Sequence, residues 1–351
     1  MSINKARIIF FSALLSLTIL LGFLPGYNGD MPFYIATSMN FEGRTEQQAF
    51  SGAREIVRNE VRSTKSDFLV ENLDNAPPGM LNFYRIKPAY VYLVILFHRL
   101  GFSYILSTTL PSLISYFLIG CIAFYWLSLK FKPGTTILGS ILLMVLSPMT
   151  VLARLSTPDA MSNLVIFYCL FRISFGKQYL WTVLLLLVSL FIRLDNFITV
   201  GVLLSGMYLW PVKEEKTRIP LVVYLSSGAL AIAICLWINY YFSRDFFWFR
   251  QAGYIQSLPA YRHELLLYFQ SFSNSLLPVI ILLVGYAWLN HREEFRGRIL
   301  YLITLPAVII FIRFLFFPVF QDRFMSAFYL CGFLLILEVI GRKRMDQNFS
   351  Q

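Results

Sequence analysis

Apolar runs long enough to cross a lipid bilayer recur along the whole chain, and they constrain the fold more than any other feature. A membrane-spanning helix needs about 20 mostly apolar residues. Only 14% of the 351 residues are charged and 57% are hydrophobic, a balance unlike that of a soluble domain. The sequence therefore predicts an all-α, polytopic membrane protein with about ten spanning helices. The predicted crossings are 8–25, 106–128, 134–152, 159–175, 179–195, 196–212, 219–241, 265–289, 299–317 and 324–341.

The first apolar run is predicted to be a retained helix rather than a cleaved signal peptide. Lys5 and Arg7 precede it, as basic residues precede a signal peptide core. However, the run is longer than such a core, and no cleavage site of small residues follows it.

Basic residues in the short loops predict the orientation, because cytoplasmic loops carry an excess of lysine and arginine. If the short apolar segment "PAYVYLVILFHRLG" (88–101) does not cross, all basic clusters fall on one side, with both termini in the cytoplasm. Whether 88–101 is a stunted crossing or a helix in the interface stays open at this stage. The clusters are Lys5/Arg7, Lys130/Lys132, Arg172/Lys177, Lys213/Lys216/Arg218, Arg292/Arg296/Arg298 and Arg342/Lys343/Arg344.

The chain is predicted to form a single transmembrane domain, 1–351, with one long external loop at 26–105 that contains juxtamembrane helices. Apolar residues recur at helical spacing in 45–63, which predicts a surface helix. "NAPPGM" (75–80) is predicted to be a loop because of its prolines and glycine. The other predicted external segments are short: 154–159, 193–196, 242–264 and 318–323.

Composition argues against nucleic-acid binding and against metal sites built from cysteine or histidine. The net charge is +11, but the basic residues stand in short clusters between apolar runs, as in membrane proteins. The four cysteines all lie in apolar runs without a CxxC pair, and the three histidines are scattered. We expect no nucleic-acid partner and no cofactor.

Ionisable residues near the predicted membrane gather on the external side. An ionisable side chain in a membrane helix costs roughly 2.5–3.5 kcal/mol on insertion scales, so it usually has a partner or a function. Several of these residues also have an explanation that needs no function. Asp30 could lie in a solvated loop, the helix dipole favours Asp159 at a helix start, and Arg193 and Asp195 could pair with each other. Their gathering on one face favours a shared site. The residues are Asp30, Arg154, Asp159, Arg193, Asp195, Arg313 and Arg323.

Carboxylates and arginines at one membrane face suit sugar transfer from a lipid-linked phosphate. Arginine binds phosphate with a permanent charge and a fork of donors. It also stabilises charge that develops on a departing phosphate. A carboxylate can accept the proton of an incoming hydroxyl or amine.

The order of these motifs resembles that of the GT-C superfamily of membrane glycosyltransferases, which includes protein O-mannosyltransferases, the aminoarabinose transferase of lipid A and the catalytic subunit of oligosaccharyltransferase. "GYNGDMPFY" (26–34) resembles the acidic motif of the first external loop in that superfamily. "FYRIKPAYVYLVILFHRLG" (83–101) resembles its juxtamembrane segment, and "LSPMTVLARLSTPDAMSN" (146–163) its Pro-containing third span with a following acidic residue. "FIRLDN" and "QDRF" are weaker matches to later basic motifs.

The resemblance implies an inverting transfer from a polyprenyl-phosphate sugar to a lipid, glycan or protein acceptor, at the external face of the membrane. The small size of the chain favours a bacterial inner membrane. Because no DD or DxD pair stands at Asp30, we expect a metal-independent site. Tyr34 and Tyr84 could stack on a sugar or prenyl chain, although interfacial aromatic residues are common in any membrane protein. The implied roles are general base for Asp30, second acid for Asp159, donor-phosphate binding for Arg323, Arg313, Arg85 and Lys87, and support for Arg154, Arg193, Asp195, Tyr34 and Tyr84.

Other functions stay open at the level of sequence. A transporter or a flippase for lipid-linked glycans would place its charges near the midplane, between broken helices or inverted repeats. A glycan polymerase or ligase shares lipid-linked donors, but its catalytic loop tends to stand late in the chain. A non-catalytic assembly subunit would tolerate loss of Asp30.

Overall fold

The computed structural model describes residues 2–61, 65–176, 178–209, 218–243, 257–273, 275–292, 297–316 and 321–349, without the side chains of 268, 269, 271–273 and 342–349. This described part is helical, and its one β-bridge pairs Gly26 with Leu155. The helices are α1 (Ile3–Gly22), α2 (Met31–Phe41), α3 (Glu46–Glu60), α4 (Lys65–Asp74), α5 (Met80–Arg85), α6 (Pro88–Arg99), α7 (Tyr104–Ser128), α8 (Pro133–Val145), α9 (Ser147–Arg154), α10 (Asp159–Ser174), α11 (Tyr179–Ile192), α12 (Asn196–Leu209), α13 (Leu221–Ile238, continued by a π-turn Asn239–Ser243), α14 (Leu258–Ser273), α15 (Leu277–Asn290), α16 (Arg298–Phe316) and α17 (Asp322–Phe349).

Several helices are long and apolar enough to cross a bilayer, which indicates a membrane-embedded protein. Within the described ranges there are five: α1, α7, α13 with its π-turn, α16, and the part Asp322–Gly341 of α17. The bent pair α8 and α9 makes a sixth if it is one span. The predicted count of about ten is not confirmed. Helices α11, α12 and α15 are apolar but have only 14 residues each, and the predicted crossing 265–289 is divided between α14 and α15.

The predicted crossing 134–152 is broken by a bend of 61° between α8 and α9. Pro148 explains the break, because proline has no N–H to donate to the carbonyl of Met144 four residues earlier. The buried Tyr116 hydroxyl from α7 donates to that carbonyl instead, at 2.8 Å. The bend therefore leaves the Met144 carbonyl satisfied, as a buried backbone group requires.

The described residues of 26–105, all but 62–64, form five short helices with a core of their own. Helix α3 corresponds to the predicted surface helix, begins with a capping box at Thr45, and buries Ala49, Ala53 and Val57. Helix α6 has 12 residues, about 18 Å, which is too short to cross a bilayer core of about 30 Å. It packs against α2, α7 and α11.

A second and larger hydrophobic core lies among the other helices. Helix α10 is at its centre, where it packs against α7, α11 and α17. Its Phe167 stacks on Trp126 of α7 with ring centroids 5.9 Å apart, and both side chains are fully buried. This position brings the first turn of α10, which begins with Asp159, against the first turn of α17, which contains Arg323.

Part of the predicted topology lies outside the described residues. This applies to Lys177, Lys213, Lys216 and Arg296, to the side chains of Arg342, Lys343 and Arg344, and to parts of the predicted external segments, 244–256 and 318–320. The orientation of the chain in the membrane stays a prediction.

Candidate active site

The chain segments that carry the two predicted catalytic carboxylates are paired with each other. The Gly26 amide donates to the Arg154 carbonyl at 2.9 Å, next to the parallel bridge between Gly26 and Leu155. The Arg154 guanidinium returns a hydrogen bond to the Leu24 carbonyl. Asp30 and Asp159 each follow four residues after the bridged pair. Arg154 therefore supports the site from its edge and forms no ion pair with a described residue.

Hydroxyl groups of α7 hold the segment that leads into Asp159. Ser112 Oγ donates to the carbonyls of Leu155 and Thr157 at 2.7 and 3.1 Å. Thr108 Oγ1 donates to Ser156 Oγ at 3.0 Å. Thr157 then donates its own hydroxyl to Asp159 Oδ2 at 2.9 Å. The position of the Asp159 carboxylate is thus fixed by a buried polar network.

Arg323 lies between the two predicted catalytic carboxylates. Its Nη2 is 3.4 Å from Asp30 Oδ2, and its Nε is 3.3 Å from Asp159 Oδ2. Asp159 is almost completely buried, with 2% of its side chain exposed, whereas the Asp30 side chain is 31% exposed. The guanidinium therefore bridges one buried carboxylate and one that solvent or a substrate can reach.

Asn163 sets the spacing between these groups, although the sequence reading did not single it out. Its Nδ2 donates to the carbonyls of Asp159 and Arg323, both at 2.8 Å. Its Oδ1 accepts from the Ala327 amide at 2.8 Å. One buried amide therefore joins the first turns of α10 and α17. A polar residue four positions after Asp159 lies on the same helix face, which is the signal that could have found it.

The Asp30 carboxylate has further donors from its own loop. Tyr84 donates its hydroxyl to Oδ1 at 3.0 Å, and Asn28 donates to Oδ2 at 3.2 Å. The Tyr84 ring is buried between Phe33 and Tyr34, with centroids 5.0 and 4.8 Å away. Burial, followed by the charge of Asp30, raises the pKa of Tyr84 well above its usual range. Tyr84 therefore stays protonated and acts as a fixed donor.

A second, more buried group of charged residues extends from Asp159 through Arg193 and Asp195 to Arg313. Arg193 contacts Asp159 Oδ1 and forms a bidentate pair with Asp195, at 2.9 and 2.8 Å. Arg313 contacts Asp195 Oδ2. The Phe324 ring, which the sequence reading did not flag, lies 4.5 to 5.2 Å from the guanidinium carbons of Arg193, Arg313 and Arg323. This is cation–π distance.

Lys87 stands beside this group without a counter-ion among the described residues. Its ammonium lies 3.9 Å from the Phe83 ring centroid, 4.8 Å from that of Tyr84 and 5.4 Å from that of Tyr34. The residue is 9% exposed. Burial lowers the pKa of the Lys87 ammonium to about 7, partly opposed by the nearby charge of Asp30. A buried cation of this kind favours an anionic ligand.

The structure does not bring every predicted residue together. Asp30, Tyr84, Arg323, Asp159, Arg193, Asp195 and Arg313 form one connected set, and Lys87 and Tyr34 flank it. Arg85 points elsewhere, because it donates to Asn82 Oδ1 at 2.7 Å and to Asn40 Oδ1 at 2.8 Å.

A second ionic group lies apart from this site and was also missed. Glu338 of α17 is buried and pairs with Lys130, at 3.5 Å, and with Arg298. The sequence did contain a signal for this group, because Glu338 is an acidic residue inside the predicted apolar run 324–341. This group joins the ends of α7 and α16 to α17.

The described residues include no group of three or more His, Cys, Asp or Glu side chains placed to hold a metal ion. The space between Asp30 and Asp159, where two carboxylates could bridge a cation, is taken by Arg323. Metal independence stays a prediction.

Comparisons with protein-family models, with characterised proteins and with solved structures find no match to this chain. The resemblance to the GT-C superfamily stays a prediction. The function is inferred from the contacts of the site itself.

Proposed function

We propose that the protein is a membrane glycosyltransferase of the GT-C type. It transfers a sugar from a polyprenyl-phosphate donor to a hydroxyl or amine of a lipid, glycan or protein acceptor. The transfer takes place at the external face of the membrane, inverts the anomeric configuration and needs no metal ion. The observation that carries the proposal is the bridge that Arg323 forms between Asp30 and Asp159, from segments far apart in the sequence.

The greater exposure of the Asp30 side chain supports its assignment as the general base. A general base has to be within hydrogen-bond reach of the acceptor group. Asp30 is the more exposed of the two carboxylates, and its ion pair with Arg323 is long at 3.4 Å. Asp159 is buried, and Arg193, Arg323 and Thr157 all contact its carboxylate. Asp159 therefore positions the cations.

Two cations are better placed than the others to receive the donor phosphate. Arg313 is engaged with Asp195, and Arg85 with two asparagine side chains. By contrast, Arg323 makes only long ion pairs, and Lys87 has no carboxylate within 4.0 Å among the described residues. We therefore assign phosphate binding to Arg323 and Lys87, and a supporting role to Arg313.

The proposed step is a single displacement. The acceptor oxygen or nitrogen forms a bond to the anomeric carbon while the bond from that carbon to the phosphate oxygen breaks. The electron pair leaves with the phosphate, whose added charge Arg323 and Lys87 stabilise. The acceptor proton moves to Asp30. Attack opposite to the leaving group inverts the configuration, and phosphate leaves without protonation by an acid.

Transfer by the purified protein tests the proposal. The protein is reconstituted in lipid nanodiscs with a panel of radiolabelled polyprenyl-phosphate sugars, and acceptors are supplied as a lipid and glycan extract. We expect one donor to yield a product of inverted configuration, and turnover to persist in a metal chelator. Retention of configuration contradicts the single displacement. Movement of the intact lipid-linked sugar across proteoliposome membranes without transfer would support the flippase alternative.

Replacement of Arg323 by glutamine should lower kcat/KM by about 10²–10³-fold, because it removes a charge that stabilises the departing phosphate. The matched control is Arg99→Gln, an exposed arginine of the external loop that pairs with Glu42. Both variants are assayed with the donor found in the panel. Equal activity of the two variants would remove Arg323 from phosphate binding.

Donor binding should weaken as the pH rises above about 7, because Lys87 then loses its proton. A bound phosphate favours the ammonium form, so affinity is complete below the pKa of the free site and falls by up to about tenfold per pH unit above it. The groups whose charges act on Lys87 are Asp30, Arg193, Asp195 and Arg323. Affinity is measured for a non-transferable phosphodiester analogue of the donor, whose own charge stays constant.

The matched variant for this experiment is Lys87→Arg, because arginine stays charged throughout. We expect a flat affinity profile from pH 6 to pH 9, roughly spanning the titration range of the parent. A parent profile as flat as that of the variant would contradict a phosphate contact at Lys87.

A further inference from the structure

A cleft of about 420 Å³ opens beside the site, between α9 and the start of α17. It results from the break at Pro148, which turns α9 away from the axis of α8 by 61°. The Tyr116 hydroxyl satisfies the Met144 carbonyl at this break, so the bend is a supported feature of the fold. The residues that line the cleft include Pro148, Val151 and Leu155 on one wall and Gln321, Asp322 and Arg323 on the other.

The two walls differ in chemistry. The α9 wall is mostly apolar, with Ser147 as its polar residue, and Val151 on it is 43% exposed. The α17 wall is polar and includes Arg323, whose guanidinium is 3.4 Å from the carboxylate of Asp30. Asp322 is less available to a ligand, because Tyr329 donates to its Oδ1 at 2.8 Å and the Leu276 amide approaches its Oδ2 at 3.4 Å. Arg323 is therefore the cation that the cleft offers to a ligand, whereas the carboxylate of Asp322 is occupied by donors of the protein itself.

An amphiphile with a hydrocarbon chain and one anionic group matches this arrangement. The chain would lie along Val151 and Leu155, and the anion would meet Arg323. A free sugar or nucleotide fits less well, because burying its hydroxyl groups against an apolar wall leaves them without hydrogen bonds. The volume is in the lower part of the range of ligand pockets, about 300–1,000 Å³, so it suits the first part of a chain whose remainder lies in the bilayer.

We propose that this cleft binds the phosphate-proximal part of the prenyl chain of a polyprenyl monophosphate, with Val151 at the chain and Arg323 at the phosphate. The inference rests on the proposed function for the identity of the lipid. It adds the elements that receive that lipid, namely the short helix after the Pro148 break and the first turn of α17.

Photocrosslinking tests the cleft without any need for turnover. A photoreactive benzoylphenylalanine is placed at Val151 or, as the matched control, at Val145 of α8. Val145 is 46% exposed and is not among the residues that line the cleft. Each full-length protein in nanodiscs is irradiated with radiolabelled polyprenyl monophosphate.

We expect labelling at position 151 that unlabelled polyprenyl phosphate displaces, and that neutral polyprenol or phosphatidylglycerol does not. Arg323→Gln should lower this displaceable labelling about tenfold, the factor that corresponds to loss of about 1.4 kcal/mol. At position 145 we expect only labelling that no competitor changes. Equal behaviour at the two positions, or displacement by phosphatidylglycerol, would overturn the proposal.

The possible outcomes distinguish a failure of the cleft proposal from a failure of the proposed function. Displaceable labelling at 151 without transfer from any donor of the panel would support the cleft and contradict the glycosyltransferase. Transfer that depends on Asp30, without displaceable labelling at 151, would support the enzyme and contradict the cleft. Val151→Trp, which narrows the cleft, should raise the KM for the lipid donor in an active enzyme more than Val145→Trp does.

Discussion

Asp30→Asn should abolish most of the transfer activity and leave the protein folded. General base catalysis contributes about 10²–10⁴-fold, so kcat should fall by about that factor. The asparagine amide has nearly the same shape and can still accept from Tyr84, which donates to Oδ1 in the parent at 3.0 Å. Because the amide cannot accept the proton of the acceptor, the loss should appear in kcat, while the affinity for the donor analogue changes less.

The measurement compares kcat and donor affinity for the parent, Asp30→Asn and Asp67→Asn in nanodiscs. Asp67 is an exposed carboxylate in the first turn of α4, in the same segment 26–105 as Asp30, and its variant should keep parental activity. A thermal unfolding profile for each protein shows whether the fold is retained. Parental turnover by folded Asp30→Asn would remove Asp30 as the base.

Arg193→Ala should destabilise the fold by about 3–5 kcal/mol, because it leaves buried carboxylates without their counter-charge. Arg193 is the shared partner of Asp159 and Asp195, and all three side chains are largely buried. Loss of the guanidinium also removes the bidentate hydrogen bonds to Asp195. Arg313 remains on Asp195, so the larger effect should fall on Asp159.

The free energy of unfolding is measured by denaturant titration in mixed micelles, with Arg54→Ala as the control. Arg54 pairs with Asp74 at the surface of the segment 26–105, where an ion pair contributes about 0–1 kcal/mol. The double variant Arg193→Ala/Asp195→Ala should cost less than the sum of the single variants, because each single variant loses the same bidentate pair, which the double variant loses only once. Equal effects of Arg193→Ala and Arg54→Ala would contradict a structural role for the buried network.

The sequence predicted the gathering of charges better than the number of spans. Asp30, Asp159 and Arg323 each stand at a helix start, and the predicted topology put these helix starts on one side of the membrane. Composition, however, does not report where an apolar run is interrupted. The run 265–289 is apolar throughout and still divides into α14 and α15. In 134–152 the break does have a local signal, Pro148, because proline removes a helix hydrogen bond, but the prediction of a single crossing did not use it.

Individual side-chain partners could not be predicted, because they depend on contacts between distant segments. Arg85 and Lys87 are two positions apart in the same motif, yet Arg85 donates to Asn40 and Lys87 lies among aromatic rings beside the site. Arg313 was assigned to phosphate, whereas Asp195, which is far away in sequence, engages it. Nothing in the sequence near these residues predicts which partner each side chain has.

The pairing of Gly26 with Leu155 couples the backbone segment that carries Asp30 directly to the segment that carries Asp159. That contact, together with the bridge by Arg323, holds Asp30 against Asp159 whatever the length of α1. Helix α1, which is long and apolar enough to cross a bilayer, can therefore adjust its tilt to a thicker or thinner bilayer while this pairing keeps the two carboxylates in register. Substitutions that lengthen the apolar part of α1 should be tolerated where an insertion between Pro25 and Asp30 is not.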